Sequence, residues 1–261
     1  MERLLVIKIG GNIIDNDEKL SLFLREFASV PGRKILVHGG GKLATKLADQ
    51  LGIKQQLIDG RRITDGETLK IVTMVYAGYI NKKIVAELQS LGLQTVGVCG
   101  ADGNSIKAHK RVHASIDYGY VGDIDNINEP FFSNLLETDT TLVLAPITHD
   151  GNGQLLNTNA DTIAQEVAKA LSRSYAVQLV YSFEKNGVLL DVNNEDSVIK
   201  KINSASYKKL KEQQAIFAGM IPKLDNAFTA LQSGVNKVII GKAEELKNLI
   251  EGYAGTTIVN E

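Results

Sequence analysis

The chain has 261 residues, 44% of them hydrophobic, with 29 Lys+Arg against 30 Asp+Glu. That length holds a large core in one domain or two lobes, and charges that nearly cancel give no bulk attraction to nucleic acid or to an anionic membrane. One cysteine, Cys99, excludes an internal disulfide and argues against a cysteine-based metal site, and no apolar run approaches the ~18 residues that a membrane span needs.

Met1-Glu2-Arg3 leads straight into a strand with no targeting-type stretch, so the expected location is the cytoplasm. That first strand, Leu4-Leu5-Val6-Ile7-Lys8-Ile9, is apolar on both faces and breaks into Gly10-Gly11-Asn12, the pattern of a buried parallel strand running into a tight turn before a helix. Lys8 is its anomaly. Burying an ammonium without a partner costs several kcal/mol, so Lys8 belongs near the carboxyl end of the strand, pointing at something anionic. Gly10 and Gly11 would let backbone N–H groups approach the same anion.

Helical spacing from Glu18 to Val30 follows, ended by Pro31-Gly32. A second strand, Lys34 to His38, runs into Gly39-Gly40-Gly41-Lys42, and Leu43 to Leu51 continues as a helix. Two such turns from neighbouring parallel strands put two sets of N–H groups, each at a helix N-terminus, on one edge of a sheet. Neither turn has the spacing of a P-loop, and Gly97 to Gly103 lacks the dinucleotide fingerprint. His38 reads as a strand-end histidine satisfied by backbone, and His109 and His113 as surface residues.

Gly60-Arg61-Arg62-Ile63-Thr64-Asp65-Gly66-Glu67 precedes a long helix running to about Leu91, capped by Thr64 or Asp65, with Glu67 completing a capping box on Thr64. A guanidinium at this junction suits bidentate capture of a carboxylate. The helix carries apolar residues on more than one face, which points to a partner subunit as well as a core. Ser105 to Ile127 predicts a surface hairpin or flap, and Thr141 to Thr148 a buried strand. Asn157-Thr158-Asn159-Ala160-Asp161 then opens a helix with more short polar side chains than one cap needs. Asn157 and Asn159 can donate to and accept from a small polar ligand, and Asp161 could orient lysines. From about Tyr175 the alternation repeats, with strands at Val177 to Tyr181, Lys237 to Ile240 and Gly255 to Val259, and helices at Tyr207 to Gln214 and Lys223 to Gln232. Before the last of these helices stands Gly219-Met220-Ile221-Pro222-Lys223. The whole predicts an α/β fold in two lobes sharing one largely parallel sheet.

In this order Lys8-Ile9-Gly10-Gly11-Asn12, His38-Gly39-Gly40-Gly41, Gly60-Arg61-Arg62-Ile63-Thr64, Asn81-Lys82, Asn157-Thr158-Asn159-Ala160-Asp161 and Gly219-Met220-Ile221-Pro222-Lys223 closely resemble the amino acid kinase family over essentially the whole chain. The resemblance implies a three-layer sandwich around a mostly parallel open sheet. An N-terminal lobe, 1–174, would bind an acyl amino acid and dimerise, and a C-terminal lobe, 175–261, would bind the nucleotide. The implied reaction is phosphorylation of the side-chain carboxylate of N-acetyl-L-glutamate by ATP with Mg2+, a step of arginine biosynthesis, with no metal ligand from the protein. Two alternatives stay open: a kinase of another N-acyl amino acid such as N-succinyl-glutamate, and a non-catalytic ligand-sensing subunit.

By position, Lys8 and Lys223 match the lysines that stabilise the transferring phosphoryl group, and Asp161 the aspartate that holds them. Gly10, Gly11 and Gly41 match backbone phosphate donors. Gly40, Gly41, Arg62, Asn157 and Asn159 match the acyl-amino-acid site, and Ser182, Gly187, Gly219 and Met220 the nucleotide site. Ser182-Phe183-Glu184-Lys185-Asn186-Gly187-Val188-Leu189 departs from the family's Thr-Asp-Val-x-Gly-Val-Leu by lacking the aspartate and by one extra residue. Arginine-inhibited hexameric members resemble this chain plus an N-terminal helix, so a homodimer not inhibited by arginine is expected. A carboxylate nucleophile is already ionised at neutral pH, which suits a chain with no candidate catalytic histidine.

Overall fold

A computed structural model describes the chain except residues 59, 60, 192, 214, 217–219 and 261 and the side chains of Arg61 and Pro222. Strand β1 (Arg3–Ile9) is followed by α1 (Gly11–Ile14), α2 (Asp17–Ser29), β2 (Arg33–His38), α3 (Gly41–Gln50), β3 (Leu57–Ile58), β4 (Arg61–Arg62) and α4 (Gly66–Thr73). A π-helical stretch, Met74–Ile80, leads on to α5 (Asn81–Ser90), β5 (Thr95–Val98), β6 (Ile106–Lys110), β7 (Gly122–Ile127), α6 (Glu129–Glu137), β8 (Thr141–Leu144), β9 (Ile147–His149), β10 (Leu155–Asn157) and α7 (Ala160–Leu171). The chain ends through β11 (Ala176–Phe183), β12 (Lys201–Ile202), α8 (Ser204–Glu212), α9 (Ile221–Gln232), β13 (Lys237–Lys242), α10 (Leu246–Glu251) and β14 (Thr256–Ile258).

Strands apolar on both faces need a helix layer on each side, and that is what forms. Eight strands lie in the order β12-β14-β13-β11-β1-β2-β8-β5, parallel except where β14 runs antiparallel to β13. Alternation along β1 sends Leu4 and Val6 into one core, with α6, α7 and α9, and Leu5, Ile7 and Ile9 into the other, with α2, α3, α4 and α10. The architecture is the expected three-layer α/β sandwich. The last third of the chain supplies half the sheet, joined to the rest along the β11–β1 ladder.

Four local expectations are refined. Pro146 has no N–H to continue a ladder, so the predicted Thr141 to Thr148 strand ends at Leu144 and its remainder, β9, joins a second sheet in the order β10-β9-β6-β7. Asp65, not Thr64, caps α4, accepting from the Thr68 N–H at 2.8 Å. Thr64 instead donates to the Arg62 carbonyl at 3.1 Å, so no capping box forms there. The long helix exists, but its middle widens into π turns.

His38 is fully buried, with Nδ1 2.8 Å from the Gly39 carbonyl and Nε2 3.3 Å from Asn81 Nδ2, so backbone and an amide satisfy it as expected. Burial holds its pKa down to about 4, which keeps it neutral. His109 lies exposed, 2.6 Å from Asp125, and His113 is exposed too.

Candidate active site

Side chains alternate along β1, so Lys8 shares the face of Leu4 and Val6, over which α7 packs. Where β1 ends, the first turn of α7 stands opposite, and Lys8 Nζ lies 2.7 Å from Asp161 Oδ1, with the lysine side chain 17% and the aspartate 32% exposed. The lysine therefore has its anion, but one supplied by the protein, so the pair is a fixed cation with donor capacity left over. Tyr181, on the neighbouring strand, closes the layer beneath with its hydroxyl 3.4 Å from the Asp161 carbonyl.

Lys223, in the first turn of α9, joins the same group. Its Nζ sits 4.6 Å from the centre of the Phe183 ring. Burial first lowers its pKa from the usual lysine value, Asp161 raises it and Lys8 lowers it further, so two ammonium groups repel across one carboxylate. An anionic group entering between them would relieve that repulsion.

Both glycine turns end at helix N-termini without a side-chain cap, Gly10 before α1 and Gly40 before α3. Their first-turn N–H groups lack helical partners, and Gly11 and Gly41 line one cavity together. Gly10 differs from the expectation: its N–H donates to the Ser182 carbonyl at 3.1 Å, tying β1 to β11, so the donors of this turn begin at Gly11. Gly40 has φ 147°, and a Cβ there would strike Ile80 and approach Tyr76 Cδ1 to 3.1 Å.

The cavity, of about 270 Å³, is lined by Gly40 and Gly41, Arg62, Asn157 and Asn159 from the predicted set. Arg62 is already engaged: it donates to Gln55, to the Gly41 carbonyl at 2.9 Å and to Thr45 Oγ1 at 2.8 Å, which anchors it on the first turn of α3. Asn157 donates to Thr64 Oγ1 at 3.0 Å. Asn159 is the cap of α7, accepting from Asp161 and Thr162 N–H at 2.8 and 3.1 Å, which leaves its NH₂ for a ligand. The surplus of polar residues is thus divided: Asn159 caps, Thr158 makes a buried 2.7 Å bond to Thr148, Asn157 crosses to the loop before α4, and Asp161 meets Lys8.

Sequence reading missed Arg111, Tyr76, Val121 and Leu57, which line the same cavity. They arrive by topology. The β6–β7 hairpin folds back so that Tyr118 and Tyr120 exchange backbone bonds with Thr64 at 3.0 and 2.6 Å, carrying Arg111 and Val121 over the pocket. Nothing local to Lys110-Arg111-Val112 distinguishes it from a solvated loop.

Of the residues assigned to the nucleotide, Ser182 lies one residue before the end of β11 with its hydroxyl buried and, among the described residues, without a partner. The position of a Gly187 Cβ is filled by Thr256 Oγ1 at 2.7 Å and Val198, so packing demands that glycine. Met220 packs against the core beneath α9. Gly219 lies outside the described residues.

The sequence profile described as the amino acid kinase family matches residues 3–242. A Cytophaga hutchinsonii protein named acetylglutamate kinase is 55% identical over 251 residues, 96% of this chain and 95% of that protein. A Parabacteroides distasonis protein of the same name is 52% identical over 246 residues, 94% of this chain and 96% of that one. A solved structure from Streptococcus mutans, 27% identical, superposes with a TM-score of 0.77 over 99% of both chains.

Proposed function

From the premise that this chain belongs to the amino acid kinase family, we propose that it transfers the γ-phosphoryl group of ATP to the side-chain carboxylate of N-acetyl-L-glutamate, giving N-acetyl-L-glutamyl 5-phosphate and ADP. This is a step of arginine biosynthesis. The observation that carries the reading is the 2.7 Å Lys8–Asp161 pair at the end of β1, beside the first-turn N–H groups of Gly11 and Gly41.

A carboxylate oxygen of the acceptor attacks the γ-phosphorus, the bond to the β,γ-bridging oxygen breaks, and ADP leaves with that electron pair. No proton moves, so no base is required. The work is positioning and charge stabilisation. Lys8, Lys223 and the Gly11 and Gly41 N–H groups would stabilise the transferring phosphoryl group, and Asp161 holds Lys8 and attracts Lys223. Mg2+ would supply charge neutralisation on the nucleotide. Among the described residues no group of three His, Cys, Asp or Glu side chains forms a cage. Asp161 is held by Lys8, so phosphate oxygens and water would carry the ion, which suits a cation that keeps its waters. Arg62 would take the α-carboxylate of the acceptor by exchanging its neutral acceptors for a charged one.

We place the reaction in the cytoplasm, in keeping with the single cysteine; among the described residues no helix is long and apolar enough to cross a membrane. The unit is a homodimer built on the apolar groove of Leu43, Leu47, Met74, Val75 and Tyr79. The test is trapping of the acyl phosphate with hydroxylamine from MgATP and N-acetyl-L-glutamate. Hydroxamate that depends on both substrates is expected, and none with N-acetyl-L-glutamate or any other N-acyl-glutamate would sink the reading.

A further inference from the structure

Arg111 has no place in the reaction just described, yet it lines the cavity that holds the acceptor. Its side chain is only 15% exposed. Asp123 takes one side of the fork, accepting from Nε at 3.1 and 3.0 Å and from Nη2. Tyr118 lies against the guanidinium, 5.6 Å from ring centre to Cζ. Among the described residues Nη1 has no hydrogen-bond partner. A guanidinium held by a carboxylate and a ring, on a side chain that lines a cavity and keeps Nη1 donors to spare, is preorganised for a planar anion.

Asp123 already balances the charge of Arg111, so it is the donors left over, set beside the groups of the acceptor, that name the anion. N-acetyl-L-glutamate brings two carboxylates: the reacting one belongs between Lys8 and Gly11, and the α-carboxylate belongs to Arg62. Its acetyl end is neutral and apolar and asks for no cation. The cavity lining includes Arg62 and Arg111 and no acidic side chain, with Leu57, Tyr76, Val121 and Pro146 as apolar wall. Resting on the kinase reading above, we propose that Arg111 reads the far end of the acyl group and that the favoured acceptor is an N-acyl-L-glutamate whose acyl chain ends in a second carboxylate. The methylenes of such a chain would lie along the apolar wall and its carboxylate on the open edge of Arg111, while the transfer chemistry at the other end is unchanged.

The experiment compares kcat/KM for N-succinyl-L-glutamate and N-acetyl-L-glutamate in the wild type and in Arg111→Leu and Arg111→Lys. The wild type should favour the succinyl compound by at least about 10-fold, the range that one charge-assisted hydrogen-bonded pair supplies. Arg111→Leu should reverse that preference by raising KM for the succinyl compound at least about 10-fold more than KM for N-acetyl-L-glutamate, and Arg111→Lys, which keeps the charge and the Asp123 pair but not the fork, should fall between. Thermal unfolding of the variants beside the wild type reports that they fold. A wild type that uses only N-acetyl-L-glutamate, or an Arg111→Leu that weakens both acceptors equally, overturns the proposal and leaves the kinase reading standing; failure of both acceptors with wild type overturns that reading instead.

Discussion

Lys8 is the residue whose removal should separate chemistry from binding. It is held by Asp161 at 2.7 Å rather than by an acceptor of its own, so its donors are oriented before any substrate arrives. Lys8→Ala should lower kcat by about 10²- to 10³-fold and leave KM for the acyl amino acid within a few-fold, because the lost interaction is made chiefly in the transition state. Steady-state kinetics on the purified variant decide it, and a kcat within about 3-fold of wild type removes Lys8 from the transfer. His38 acts on stability instead. An unfolded chain takes up its proton near pH 6.5 and the folded one not until about pH 4, so between those values the unfolded state binds more protons and stability is lost as the pH is lowered. The full contribution, about 3 kcal/mol, is present above pH 6.5 and gone below pH 4. Urea unfolding at several pH values should show a shallower slope for His38→Gln across that window; identical slopes would mean that His38 titrates in the fold as it does in the unfolded chain.

Elements were legible where one local rule decided them and misread where two competed. The glycine turns after β1 and β2 were read correctly as helix entries, because an apolar run ending in glycine admits little else. Thr64 and Asp65 both satisfy the capping rule, and only the backbone bonds from Thr64 to Tyr118 and Tyr120 settle the choice, by drawing Thr64 into the flap and leaving Asp65 to cap. Similarly, Leu142 to Ile147 is apolar throughout, and although Pro146 breaks the ladder, that the remainder pairs in a second sheet as β9 is decided across the fold. Gly40 is a sharper case, since its φ of 147° and the Ile80 and Tyr76 side chains beside it each exclude a Cβ. Gly40→Ala should destabilise by about 1–3 kcal/mol and raise KM for the acyl amino acid by moving the first turn of α3 and, with it, Arg62, which donates to Gly41 and Thr45. Thermal unfolding and KM test both halves; an unchanged KM in a folded variant would free the pocket from this turn.

At the scale of the molecule, the candidate site was legible in the parts that share a strand end with their sequence neighbours, Lys8, Gly11, Gly41 and Asp161, and illegible in the parts delivered across the fold. Arg111, Tyr76 and Val121 come from a hairpin and a π-helical stretch whose placement over the pocket depends on long-range pairing. The same stretch presents its outer face to solvent with Met74 55% and Tyr79 60% exposed, above Leu43, Leu47 and Val75, around an apolar groove of about 330 Å³. On the homodimer proposed above, these residues would be the face that meets a second copy, and a face made from two adjoining helical elements does so most simply about a two-fold axis. Sedimentation should therefore give twice the chain mass of 28.3 kDa at micromolar concentration. Met74→Glu with Tyr79→Glu should shift the species to monomer, because each new carboxylate would be desolvated in the interface. Leu190→Glu, also at an exposed apolar residue but in the loop after β11, should leave the dimer intact. A wild-type monomer or hexamer contradicts the assignment. A dimer that survives the double substitution moves the interface elsewhere and returns Met74 and Tyr79 to solvent. If the pair does form the seam, Tyr76 one turn away ties it to the pocket wall, so loss of the dimer should also weaken acyl-amino-acid binding in the same titration series.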